Sequence, residues 1–360
     1  MFRSAERLSA IGFAGVVALG MGLSGAAAQD SANFKGKTIA LLVGSEVGGG
    51  TDASARLIAP FLTRYLPGQP KVIVQNLPGA GGVKALNHFV QRAAPDGLTA
   101  INGSISMLDP ITSLGANAQY DPKTLRFVGG VGRGGGAIFT SAEAATRLYD
   151  KTKKPVIIGS ALAVPRSFMQ PALWCIEYLG WNATWIVGYR GTNEVMLALD
   201  RGEIDMTSTG NLFQIKDRLN SGQLKLVNQS GFLANGKIVA RRDYGDTPLF
   251  PEQMRGKIKD PIAQKAYDYW EALNNGDKWL ALPPATPANI VAAYREAFKK
   301  AAADPEFRER GEKISDGFEP MTYQDAEFIA RTLADTPPEA IEYTKALMRK
   351  QGINVPLTRK

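Results

Sequence analysis

The sequence predicts an α/β fold of two similar lobes around a ligand cleft. Three observations carry this. Short apolar runs alternate with amphipathic helical stretches, which argues for parallel sheets flanked by helices. Two early runs end in glycine-rich turns, Gly48-Gly49-Gly50 and Gly79-Ala80-Gly81-Gly82. The strand–loop–helix order of residues 38–104 then recurs over residues 156–211.

The elements follow in order. Residues 1–28 read as a secretion signal. Arg3 and Arg7 precede the apolar run Leu8 to Leu23, and Ala26-Ala27-Ala28 gives a small-residue cleavage pattern before Gln29. No cysteine stands there to take a lipid, and no later stretch has the length of a membrane-spanning helix. The expected mature chain is exported and soluble. At about 330 residues it suits two domains of ordinary size.

The first strand, Thr38–Val43, runs into Gly44 to Gly50 and a helix from Thr51 to Tyr65, which Thr51 or Asp52 is expected to cap. Glycine lets the backbone approach a ligand closely and adopt positive φ. A helix N-terminus beside such a turn favours an anion through free N–H groups and the helix dipole. Strand Lys71–Gln75 leads into the second glycine turn and a helix to Ala94. Pro95-Asp96-Gly97 stops that helix before strand Leu98–Asn102, which ends at Gly103-Ser104.

The second unit begins with strand Val156–Ile158, ending at Gly159-Ser160. A loop, Ala161 to Pro165, opens a helix from Arg166-Ser167 to Leu179. Strand Thr184–Val187, the Gly188–Thr192 loop and a helix to Asp200 follow. Gly202-Glu203 then turns into strand Ile204–Thr209, ending at Gly210-Asn211. Two such units place strand C-termini and helix N-termini on either side of a shared cleft.

The predicted division is residues 33–137 with 230–335 as lobe 1, 138–229 as lobe 2, and 336–360 as a helical extension. The helix from Pro338 to Gln351 is expected to pack on lobe 1. The glycine run 129–136 lacks the Lys-Ser or Lys-Thr of a phosphate loop and reads as hinge sequence between the lobes.

Composition narrows the chemistry. A formal charge of +8 suits an anionic ligand or surface. The basic residues are scattered, with no aromatic-interleaved surface for nucleic acid. One cysteine, Cys175, excludes an internal disulfide and reads as a small core residue. One histidine, His88, excludes a multi-histidine metal site and reads as a structural helix residue. Trp174, Trp181 and Trp185 read as core, with Trp185 alone standing where a strand could wall the cleft. No catalytic residue, metal or cofactor is assigned. A hydrolase using the first glycine turn as an oxyanion hole stays as a minor alternative, because a base for it is lacking.

The run Gly48-Gly49-Gly50-Thr51-Asp52, with Ala55-Arg56-Leu57, is followed by Asn76-x-Pro78-Gly79-Ala80-Gly81-Gly82 and Ala93-Ala94-Pro95-Asp96-Gly97-Leu98-Thr99. This series resembles the Bug family, the TctC-like solute-binding proteins of tripartite tricarboxylate transporters. Weaker matches are Tyr189-Arg190-Gly191, Gly202 to Met206 and Leu282 to Pro287. The resemblance implies a periplasmic-binding-protein type II-like fold, with two lobes joined by a crossover hinge. It implies a monomer that takes a small organic carboxylate to the transporter's membrane subunits. A ligand-sensing accessory to a membrane histidine kinase is the alternative.

Carried over by position, the ligand-binding candidates in the first lobe are Glu46, Gly48, Gly49, Gly50, Thr51, Asp52, Ser104 and Ser106. In the second lobe they are Ser160, Ala161, Arg166, Ser167, Tyr189, Gly210 and Asn211. Arg166 is expected to make a charge-assisted contact with a ligand carboxylate. Glu46 departs from the family pattern, which has an uncharged segment before the glycines. It is expected at the pocket rim.

Overall fold

The computed structural model describes residues 32–113, 117–161, 164–165, 167–189, 192–314 and 317–355. The predicted secretion signal lies outside them. Among the described residues no helix is long and apolar enough to cross a membrane.

The first sheet starts with β1 (Thr38–Val43), whose Ile39, Leu41, Leu42 and Val43 are all buried. Burial on both faces is what a parallel strand covered by helices requires. β2 (Lys71–Asn76) and β3 (Thr99–Ser104) pair with it in parallel on either side. β4 (Arg126–Gly132) completes the N-terminal contribution. The second sheet holds β5 (Ala137–Ser141), β6 (Val156–Ser160), β7 (Ala183–Val187), β8 (Met206–Thr209) and β9 (Leu224–Gln229). A hairpin follows, β10 (Phe232–Ala234) with β11 (Lys237–Val239). The chain then returns β12 (Gly276–Leu282) and β13 (Glu319–Met321) to the first sheet.

The sheet orders are β13-β4-β12-β3-β1-β2 and β7-β6-β8-β5-β9. From the outer strand inward, both read second, first and third strand of a βαβαβ unit, then an antiparallel strand from elsewhere in the chain. The duplication read from the sequence is thus present as matching topology.

Two helices flank the first unit, α1 (Gly50–Tyr65) and α2 (Val83–Arg92). α1 buries Ile58, Phe61 and Leu62 against Tyr294, Phe298 and Phe307, with Phe61 edge-on to Phe307 at 5.0 Å. It begins one residue earlier than predicted. Gly49 is its N-cap residue and no side chain caps it, so neither Thr51 nor Asp52 does so. His88 lies exposed on α2. Cys175 is fully buried and accepts from Asn228 Nδ2 at 3.3 Å, and burial pushes its thiol well up.

Of the glycine run, Gly129 to Gly132 belong to β4, so only residues 133–136 cross from the first sheet to the second. There the Gly136 N–H donates to Ser230 Oγ at 2.9 Å and the Ser230 N–H donates to the Gly136 carbonyl at 2.8 Å. The outgoing and returning segments therefore lie side by side.

The helix Pro338–Lys350 makes contacts in both parts of the chain. It packs on the helix Pro261–Asn275 and on the second sheet's core, not on lobe 1 alone. Its stripe Ala340, Leu347 and Met348 covers Trp174, Tyr267 and Trp270, and Tyr343 stacks on Trp174 at 6.2 Å. Phe250, Met254, Tyr267 and Trp270, counted with lobe 1 from the sequence, share that same core. Tyr269 and Ala272 face the first sheet's core instead, so one helix serves both. Trp174 and Trp181 are fully buried. Trp185 donates from Nε1 to Gln351 Oε1 at 3.0 Å, toward the end of the C-terminal helix.

Glu271 sits on this shared helix. Burial, opposed by the Tyr267 hydroxyl at 3.3 Å and aided by Asp268, raises its pKa to about 7 from 4.5. The unfolded chain therefore loses this proton at lower pH than the folded one. The associated stability is full below about pH 4.5 and is lost as pH rises to about 7. Glu271→Gln should abolish that loss and leave the variant up to about 3 kcal/mol more stable than wild type at pH 8. Urea denaturation at pH 4.5 and pH 8 reads the difference.

Candidate functional site

Three turns at the C-terminal ends of β1, β2 and β3 enclose a cavity of about 410 Å³. The first two turns touch, because a Cβ on Gly44 would stand 2.7 Å from Gly82 Cα. The second turn needs left-handed backbone, with φ of +64° at Gly81 and +96° at Gly82. The end of β3 supplies two hydroxyls, Ser104 Oγ and Ser106 Oγ, 2.7 Å apart.

Glu46, Thr51, Ser104 and Ser106 line this cavity. Glu46 is exposed, as expected of a rim residue. Thr51 stands in the first turn of α1, where no side-chain cap occupies the helix N–H groups. Those groups and the dipole make the spot favourable for an anion. Gly48, Gly49 and Gly50 form the outer turn and do not line the cavity. The Gly48 N–H donates to Asp52 and the Gly49 N–H to the Glu46 carbonyl, so both act within the turn.

Asp52 is turned inward and is 1% exposed. Its carboxylate accepts from the Gly48 N–H, from Asn76 Nδ2 and from Arg56 Nε, each at 2.9 Å. The Arg56 hydrogen bond is the largest of the influences that hold its pKa down at about 2. Asp52 thus ties the turn together and does not face the cavity. Asn76 also donates to the Ser45 carbonyl at 2.9 Å, locking the first turn to β2. Asn102, fully buried in β3, donates to the Thr51 carbonyl at 3.0 Å. Arg56, Asn76 and Asn102 were not among the predicted site residues. The i,i+4 spacing of Asp52 and Arg56 and the polar Asn102 inside an apolar strand were the available signals.

The second-unit candidates lie apart from this cavity. Ser160 ends β6 and is 5% exposed, and its carbonyl accepts from the Gly188 and Tyr189 N–H groups. Ala161 and Tyr189 are half-buried against Val195 and its neighbours. The Gly210 carbonyl accepts from Arg241 at 2.9 Å, and the Asn211 side chain accepts from the Phe213 N–H at 2.9 Å. Both are engaged in shaping their own loop. Arg166 and the side chain of Ser167 lie outside the described residues.

The arrangement can hold an anion, and it offers no nucleophile with a base. Ser45 Oγ donates to the neighbouring Glu46 carbonyl, and His88 lines a different, shallow depression. Among the described residues no group of three His, Cys, Asp or Glu could hold a metal ion. A larger cavity, about 810 Å³, lies between the helix Ala288–Ala303 and β13. Three cations line it, Arg126, Arg295 and Lys299, of which Arg295 is tied to Glu327 and stacked 3.5 Å over Tyr323. It lies away from the turns that build the anion cradle.

Comparison with known proteins bears on the fold. No family model matches the sequence. A UPF0065 protein in the gbd 5′ region of Cupriavidus necator is 26% identical over 364 residues, spanning 97% of this chain and 98% of that one. A ligand-free TctC solute-binding protein from Polaromonas superposes with a TM-score of 0.62 at 18% identity, over 87% of this chain and 98% of that one. The periplasmic binding protein BugD overlaps more loosely, with a TM-score of 0.45 at 20% identity over 88% of this chain and 98% of its own. In fold the chain is TctC-like, and in sequence it is similar along nearly its whole length to the UPF0065 protein.

Proposed function

We propose that the protein is a periplasmic solute-binding protein that captures a small organic carboxylate and delivers it to a tripartite tricarboxylate-type transporter. The observation that carries this reading is the uncapped N-terminus of α1 at a cavity walled by Ser104 and Ser106. The hydroxyls donate to a carboxylate, and the helix end supplies positive potential without a full charge. The TctC-like fold supports the solute-binding role, and the export signal predicted from the sequence supports the location. Closure of the two units over the ligand is part of the same reading, because a ligand touching both favours the closed form.

A thermal-shift screen of organic acids tests it, since a ligand that binds only the folded state raises the melting temperature. The expected result is a shift with at least one carboxylate. Ser104→Ala with Ser106→Ala should weaken that ligand about tenfold, the loss of two ordinary hydrogen bonds. No shift with any acid contradicts the reading.

A further inference from the structure

A second cavity, about 390 Å³, adjoins the first at Ser106, which borders both. It runs between the two units. Ile105 and Ile111 wall it from the first, Val164 and Pro165 from the second, and Trp270 and Leu273 from the helix Pro261–Asn275. Those six side chains are apolar. Ile111 is 58% exposed, which leaves an apolar surface open at the chamber's edge.

Most of the polar lining is already committed. Asp109 accepts from the Tyr269 hydroxyl at 3.0 Å. Lys345 is paired with Glu342, and Arg133 is engaged as well. No uncommitted cation therefore stands among the described lining residues. Gln170 adds an amide to the lining, and Trp270 and Asn274, an i,i+4 pair on one helix, are 1% and 2% exposed. Trp270 Nε1 and Asn274 Oδ1 have no hydrogen-bond partner. Both atoms are fully enclosed, so they lie behind the chamber's wall and do not face its space.

We propose that this chamber receives the body of the ligand, and that the ligand is an acid with an apolar or aromatic body. The inference rests on the carboxylate reading above, which places the acid end at Thr51, Ser104 and Ser106. A second carboxylate in the chamber would meet Asp109 with no free cation to offset it. An apolar body instead removes the chamber's aliphatic wall from water.

Calorimetric titration of 4-hydroxyphenylacetate and adipate into the full-length mature protein tests this, together with Leu273→Trp, which fills the chamber, and Ile111→Trp, which narrows its exposed edge. The expected result is at least tenfold tighter binding of 4-hydroxyphenylacetate than of adipate. Either variant should erase that preference, and Ile111→Trp, at an exposed position, keeps the test available should Leu273→Trp fold poorly. Adipate binding as tightly as the aryl acid, or a preference unchanged in a folded variant, overturns the chamber assignment and leaves the carboxylate reading intact. Binding of neither acid, nor of any acid in the thermal-shift screen, overturns both.

Discussion

Asp52→Ala is expected to cost about 2 kcal/mol of stability and to lower ligand affinity tenfold or more. The carboxylate it removes joins three parts of the first turn: the Gly48 N–H, Asn76 of β2 and Arg56 one helical turn on. Without it, the Gly48 N–H loses its acceptor and Asn76 Nδ2 loses one of its two, leaving the Ser45 carbonyl as the turn's remaining tie to Asn76 of β2. Thr51, its neighbour in the chain, is then held by the Asn102 hydrogen bond to its carbonyl with less support from the turn. The pH dependence follows from the direction of the shift. Asp52 has its folded pKa depressed to about 2 from 3.8, so its contribution is full above about pH 4 and is lost as pH falls toward 2. Urea melts of wild type should therefore lose stability over that interval, and Asp52→Ala should lose about 2 kcal/mol less there. Asp52→Asn keeps one acceptor and should fall between the two.

Gly135→Ala is expected to cost about 3–5 kcal/mol and to lower the melting temperature by roughly 10 °C. Two effects add. The residue has φ of +77°, a left-handed conformation that a side chain makes unfavourable by about 1 kcal/mol. Its Cβ would also stand 2.4 Å from the Gly231 carbonyl oxygen, a backbone atom that cannot rotate away. Relief requires the outgoing and returning crossover segments to part. That strains the Gly136–Ser230 hydrogen bonds and the Arg241 guanidinium, which donates to the Gly135 carbonyl at 3.1 Å and the Gly210 carbonyl at 2.9 Å. Gly180→Ala is the control. Its φ is +73°, yet nothing lies within 4 Å of the added atom, so it should cost only about 1 kcal/mol. Differential scanning calorimetry of the two variants separates backbone conformation from crowding.

The features legible in the sequence were those fixed by local backbone chemistry. Gly81 and Gly82 need positive φ, and Gly44 must clear a neighbouring turn, so the glycines announced themselves. The alternation of apolar strands and helices announced the duplicated unit. Roles that depend on a distant partner stayed hidden. Asp52 looks like a helix cap or a ligand contact until Asn76, 24 residues on, is seen to donate to it. The stripe on the helix Pro338–Lys350 says that one face is buried and leaves open against what. Its partners Trp174 and Tyr267 come from two other segments. Gly210 and Asn211 fell where binding residues belong by position, and their hydrogen bonds to Arg241 and Phe213 show loop-shaping roles that spacing alone does not reveal.

The central claim is that the cavity at Thr51, Ser104 and Ser106 selects an anion through an uncapped helix end. Calorimetry of the wild-type protein with the acid that gives the largest thermal shift, and with the primary amide of that acid, tests it most directly. The two ligands share shape and differ in charge. The account predicts at least tenfold tighter binding of the acid, roughly 1.4 kcal/mol. Equal affinity for the amide would contradict it.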